Sequence, residues 1–287
     1  MLNTIFAVII RIFSNSFANT LQKELVKDYS SRFVTFVAYF LLSLFCLCPA
    51  MFVNWLEYGL VFWCYVVIAN LLCTLSTICL VKALQTGELS ILSSINSYKC
   101  VVGLLGAIVL LHEFPNIFGF LGLILIVFGS WFVFETTKEG FSFTLLKRRD
   151  VILRILAMIL AGIEAVFLKK IILMSSFEIS FILWCFGGLL FSMLIFLLSK
   201  PTLQVVKRTK SWYKFFVLAA CLGLMQLSTN YVFSKLNVGL SLAIFQLSTI
   251  INLFLGYKIF KETDILKKFI GMVIMLVGSV LILVLNN

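Results

Sequence analysis

The chain has 287 residues, 62% of them hydrophobic and 12% charged, with a mean hydropathy of +1.13. Soluble globular domains are about half apolar and about a quarter charged, so the composition excludes that class. The net charge of +11 does not point to nucleic acid, because Lys and Arg collect in short joints between apolar runs, where in a membrane protein they set orientation.

A helix crossing the hydrocarbon layer needs about 20 mostly apolar residues, and bonds its own backbone polar groups. The pattern predicts ten such helices, at about 2–22, 32–53, 58–81, 89–111, 116–135, 151–173, 177–198, 212–234, 238–260 and 265–285. Pro49, Pro115 and Pro201 all fall at helix ends, where a missing N–H costs little. No helix is therefore expected to be broken by proline. The eight cysteines lie inside apolar runs, with no Cys-x-x-Cys pair and a single histidine in the chain. They read as small hydrophobic fillers, and neither a metal site nor a disulfide is expected. The N-terminus has no small-residue cleavage site of the signal-peptide kind, so the first helix is expected to be retained.

One stretch occurs twice. Glu113, Gly122, Gly129 and Ser130, read forward by 149 positions, land on Glu262, Gly271, Gly278 and Ser279 without slippage. An acidic residue, a polar joint and an apolar helix with heptad-spaced glycines make a specific pattern, so the chain reads as an internal duplication. The longest joint, Glu135 to Asp150, divides it into a first five-helix repeat (1–135), a cytoplasmic linker (136–150) and a second five-helix repeat (151–287). An odd number of crossings inserts the second repeat upside down relative to the first. The expected fold class is an all-α polytopic membrane protein, ten transmembrane helices forming two inverted five-helix repeats. Of the 23 Lys and Arg, seventeen fall on one side and three (Lys169, Lys170, Lys235) on the other. The crowded side is expected to be cytoplasmic, with both termini outside.

Arg11, Lys99 and Glu164 lie near the middles of helices 1, 4 and 6. An ionisable group at that depth costs several kcal/mol unless it faces a wet cavity or a partner, which makes it a functional candidate. Asn96 and Tyr98 flank Lys99, Asn15 shares a face with Arg11, and Trp184 and Gln246 are deep enough to join them. These eight form the expected substrate-binding set. Arg154, only a few residues into helix 6, reads as an anchor that snorkels to the cytoplasmic face. The amides Asn19, Asn70, Gln226, Asn230 and Asn252 read as interhelical hydrogen bonds, worth about 1 kcal/mol each. Gly122 and Gly129 on helix 5 are expected to pack against Gly271 and Gly278 on helix 10 at a left-handed crossing. Glu113 and Glu262 are expected to cap the helix that follows each of them. With no nucleophile–base set, phosphate-cradling loop or zinc spacing, no enzyme and no cofactor is expected.

Leu111-His112-Glu113 with Gly122 and Gly129, and Phe260-Lys261-Glu262 with Gly271 and Gly278, resemble the ten-helix EamA-type branch of the drug/metabolite transporter superfamily. The resemblance covers essentially the whole chain. It implies a multi-pass secondary carrier of the bacterial cytoplasmic (inner) membrane, with a central cavity between the halves and export of amino acids or other small metabolites as the usual task. Family members usually have a proline within the fourth and ninth helices, which Ile95-Asn96-Ser97-Tyr98 and Ile244-Phe245-Gln246-Leu247 lack. The expected function is alternating-access transport of a small polar solute bearing a carboxylate or phosphate. The expected partners are that solute, the bilayer and protons as a coupling ion, without nucleic acid, for a monomer or weak dimer. A lipid-linked carrier or amphiphilic drug is the alternative cargo. A non-transporting membrane partner is the reading if Arg11, Lys99 and Glu164 pair among themselves and leave no cavity.

Overall fold

The computed structural model describes residues 2–111, 116–134, 147–198, 212–262 and 265–285. Among them the first half supplies α1 (Leu2–Leu25), α2 (Ser31–Ala50), a 3₁₀ turn (Trp55–Glu57), α3 (Leu60–Ala83), α4 (Leu89–Asn96), α5 (Lys99–Leu111) and α6 (Ile117–Phe134). The second half supplies α7 (Arg149–Met174), α8 (Phe177–Leu198), α9 (Trp212–Lys235), α10 (Val238–Phe245), α11 (Ser248–Phe260) and α12 (Ile265–Leu285). Eight stretches of the described residues are long and apolar enough to cross a membrane. The protein is thus an all-helical, polytopic membrane protein. Local chemistry marks several ends: Ser30 caps α2 by accepting from the Phe33 N–H at 3.3 Å, and Pro49 falls in the last turn of α2.

The fourth and ninth predicted helices are not continuous. α4 gives way to α5 at Ser97-Tyr98, and α10 to α11 at Gln246-Leu247, positions that correspond through the 149-residue register. At both breaks the backbone tightens into i→i+3 bonds, Ser97 N–H to Ser94 and Tyr98 N–H to Ile95, then Gln246 N–H to Ala243 and Leu247 N–H to Ile244. No proline is responsible. Side-chain donors reach carbonyls at or just before each break, and side chains inserted into the ladder are one recognised cause of kinks. Arg154 Nε donates to the Leu92 carbonyl at 2.8 Å, and Gln246 Nε2 donates to Leu242 at 3.2 Å and across to Asn96 at 3.4 Å.

The broadest packing pairs each join one half to the other: α1 with α9, α3 with α7, α2 with α8, and α6 with α12. The lesser pairs come as counterparts, α5–α7 with α1–α11 and α4–α11 with α5–α10. Exchanging the halves maps these pairs onto one another, as two inverted repeats require. The α6–α12 contact runs along the glycines, as expected. A Cβ at Gly129 would stand 2.6 Å from the Gly271 carbonyl oxygen, and one at Gly278 would stand 2.6 Å from that of Gly122.

Among the described residues the helix that Glu262 caps is α4, not the one that follows it. α11 ends with Lys261 in the left-handed region (φ 54°), which turns the chain so that the Glu262 carboxylate reaches α4 in the other half. There it accepts from the Leu89 N–H at 2.6 Å, the Ser90 N–H at 3.1 Å and the Ser90 hydroxyl at 2.5 Å, and pairs with Lys23 Nζ at 3.1 Å. Lys268 pairs with Glu88 at 2.6 Å beside it. The predicted cap at Glu113, with His112, lies outside the described residues. Burial alone would raise the Glu262 carboxyl, but the Ser90 hydroxyl, the Lys23 charge and the two backbone N–H groups outweigh it and hold the group below its ordinary 4.5. A depressed folded-state value gives stability that is complete above the unfolded value and lost as pH falls through the folded one. Glu262→Gln is expected to remove about 3 kcal/mol at neutral pH. Its thermal midpoint should also respond less than that of the parent protein to acidification from pH 5 to pH 3. Equal slopes for the two proteins would rule out this linkage.

Candidate functional site: a charged cavity between the halves

A cavity of about 130 Å³ lies between the halves. A water needs roughly 10–15 Å³ on this measure, so there is room for about ten water-sized groups. Six of the eight predicted residues line it: Arg11, Asn15, Asn96, Lys99, Glu164 and Trp184. Tyr98 instead packs against the apolar cluster that includes Ile91, Ile95 and Leu255. Gln246 is spent on the helix breaks, as described above.

Arg154 is the correction of most consequence. It does not snorkel to an aqueous face but is buried, 6% exposed, and lines the cavity. Its Nε is held by the Leu92 carbonyl, and its terminal nitrogens have no hydrogen-bond partner among the described residues. Several polar wall residues were not singled out from the sequence. Cys73, Ser76 and Thr77 come from α3, Gln22 from α1, Thr35 and Tyr39 from α2, and Thr229 from α9. Their signal was spacing: 73, 76, 77 and 80 share one helical face, as do 222, 225, 226, 229 and 233. Each residue taken singly looks like ordinary filling.

The charges stand apart. Among the described residues no ion pair within 4.0 Å joins Arg11, Lys99, Arg154 or Glu164 to any group. Arg11, 8% exposed, lays its guanidinium 4.2 Å over the Phe245 ring, a cation–π contact, while its Nε is buried without a hydrogen-bond partner. Lys99 opens α5, so its ammonium adds to the positive end of that helix's dipole. Among the described residues Lys99 is the charge that acts on Glu164. In the same wall Trp184 Nε1 lies 3.0 Å from Cys73 Sγ, and its ring meets that of Tyr39 edge-on at 4.9 Å.

The depths of these groups follow from how α5 lies on α7. A Cβ at Gly162 would stand 2.6 Å from Val102 Cγ1, and one at Gly106 would stand 2.9 Å from Val166 Cγ2. The two helices run parallel with a constant offset of 60 in residue number. Lys99 is thereby level with position 159, between Arg154 and Glu164 and about 7 Å along the axis from each. Other predicted amides act structurally: Asn15 Nδ2 donates to Ser248 Oγ at 3.2 Å, Gln226 to Asn230 at 2.9 Å, and Asn230 to the Phe177 carbonyl at 3.2 Å.

A two-repeat helical membrane bundle with an ionised cavity on its internal axis has the form of a transporter. The profile of the EamA-like transporter family matches residues 2–135 and 149–284, so the chain belongs to that family, within the drug/metabolite transporter superfamily. A solved crystal structure superposes with a TM-score of 0.72 at 13% identity, covering 98% of this chain and 97% of that one, a likeness of fold alone. No curated protein sequence matches the chain.

Proposed function

We propose that the protein is a secondary active carrier that exports a small carboxylate- or phosphate-bearing metabolite, amino acids first, across the bacterial inner membrane by alternating access. The observation that carries this reading is that Arg11, Lys99, Arg154 and Glu164 converge on one cavity without being consumed by one another. A buried charge held only for structure needs a partner, and these four have no ion-pair partner within 4.0 Å among the described residues. That disfavours a non-transporting partner protein. The division into repeats 1–135 and 151–287 with a cytoplasmic linker at 136–150 belongs to the same proposal, and protons are its coupling ion.

The test is counterflow in liposomes loaded with an amino-acid pool. Saturable exchange that a proton gradient accelerates is expected, and leakage no faster than protein-free liposomes would refute the reading. Lys23, Lys214 and Lys268 share one end of the bundle through their pairs with Glu262, Glu24 and Glu88, and we place that end in the cytoplasm. In a cysteine-free background, Ser176→Cys should then react with an impermeant thiol reagent from outside intact cells while Lys27→Cys is protected. The reverse labelling pattern would invert the orientation.

A further inference from the structure

We infer that the substrate is an α-amino acid whose side chain carries a second anionic group, bound with its ammonium at Glu164, its α-carboxylate between Lys99 and Arg11, and its side-chain anion at Arg154. This rests on the carrier reading of the central cavity.

Charge is the first argument. Three cations face one carboxylate, so a zwitterion with a neutral side chain would leave a surplus of two positive charges in a cavity between apolar helices. An ionic surplus in a low-dielectric space is costly. A side-chain carboxylate halves it, and a phosphate monoester, carrying nearly two charges near neutral pH, cancels it.

Placement is the second argument. Lys99 stands between Arg154 and Glu164 in depth, so positive, positive and negative groups follow one another along α7. The ammonium and α-carboxylate of an amino acid are adjacent, matching the neighbouring Glu164 and Lys99. A further anion a few bonds away then falls toward Arg154. Arg154 is prepared for it: the bond from Nε to the Leu92 carbonyl fixes the guanidinium, and the remaining nitrogens suit the bidentate geometry of a carboxylate or phosphate. The buried, unpartnered Nε of Arg11 supplies a further donor on the α-carboxylate side. Size agrees as well, since room for about ten water-sized groups is of the order an acidic amino acid needs.

The test uses the purified full-length chain in liposomes and follows exchange of labelled L-glutamate, L-glutamine, glutarate and O-phospho-L-serine. Glutamine keeps the shape and loses the side-chain charge, glutarate lacks the ammonium, and phosphoserine tells a carboxylate side chain from a phosphate. Glutamate or phosphoserine should be preferred over both glutamine and glutarate at least tenfold in kcat/KM. Arg154→Gln should erase the preference over glutamine, and Arg154→Lys should keep most of it. Glutamine moved as well as both acidic amino acids would overturn the inference and leave the carrier reading standing, and glutarate moved equally well would overturn the ammonium at Glu164. If monodisperse protein moves none of the four and none shifts its thermal midpoint, while other amino acids exchange, the inference alone fails. If nothing exchanges, the carrier reading fails with it.

Discussion

Gly129→Leu and Gly278→Leu are each expected to lower the thermal midpoint sharply or to leave no monodisperse protein. The Cβ alone would stand 2.6 Å from a backbone oxygen of the facing helix, and at Gly129 also 2.7 Å from the Met275 nitrogen. Backbone atoms cannot rotate aside as a flexible side chain can. α6 and α12 would have to separate, and their close approach is the basis of association in lipid, where no hydrophobic force holds helices together. Overpacking of this kind costs about 1–3 kcal/mol even when the surroundings adjust. Gly129→Ala should therefore destabilise as well, by less. Gly59, where a Cβ would meet nothing within 4 Å, is the control, and its change to Ala should cost less than about 1 kcal/mol. Thermal denaturation in detergent checks the series, and a Gly129→Leu protein as stable as Gly59→Ala would refute the contact.

The same glycines show why the fold was legible in the sequence. Gly122, Gly129, Gly271 and Gly278 recur in a fixed register, and duplication, inversion and the α6–α12 contact all follow from that recurrence. The helix breaks were not legible, because Ser97-Tyr98 and Gln246-Leu247 contain no proline or glycine. Side chains donate to carbonyls beside both breaks, and a chain-order reading cannot see Arg154 arriving from α7 or Gln246 reaching across to Asn96. Arg154 was misread for a related reason. Its depth was counted from the start of its own helix, whereas its environment is set by α4, which covers that end. Glu262 was read as a local cap because helix dipoles act within a turn, and the left-handed turn at Lys261 that aims it at α4 has no signature in a lysine. Lys99, Arg11 and Glu164 were legible because charge in an apolar run carries information on its own.

Lys99→Ala is expected to abolish transport while leaving the thermal midpoint unchanged or higher. These two outcomes together separate a ligand-binding charge from a structural one. Removing one member of a buried ion pair costs about 3–5 kcal/mol, because the other is left uncompensated. Lys99 makes no ion pair within 4.0 Å and no hydrogen bond from its ammonium among the described residues. Its burial is therefore a cost carried by the empty protein, and its removal relieves desolvation and repulsion from Arg11 and Arg154 against the loss of its attraction to Glu164. The same ammonium, added to the positive end of α5, is what a bound carboxylate would neutralise, so its loss falls on the loaded state. Glu164→Gln should weaken binding of an ammonium-bearing substrate by at least tenfold, since a charge-assisted hydrogen bond becomes a neutral one. Exchange rate and melting curve on the same preparation decide the matter. A folded Lys99→Ala protein transporting at the parent rate would remove Lys99 from the site, and a collapse in stability would make it a structural partner instead.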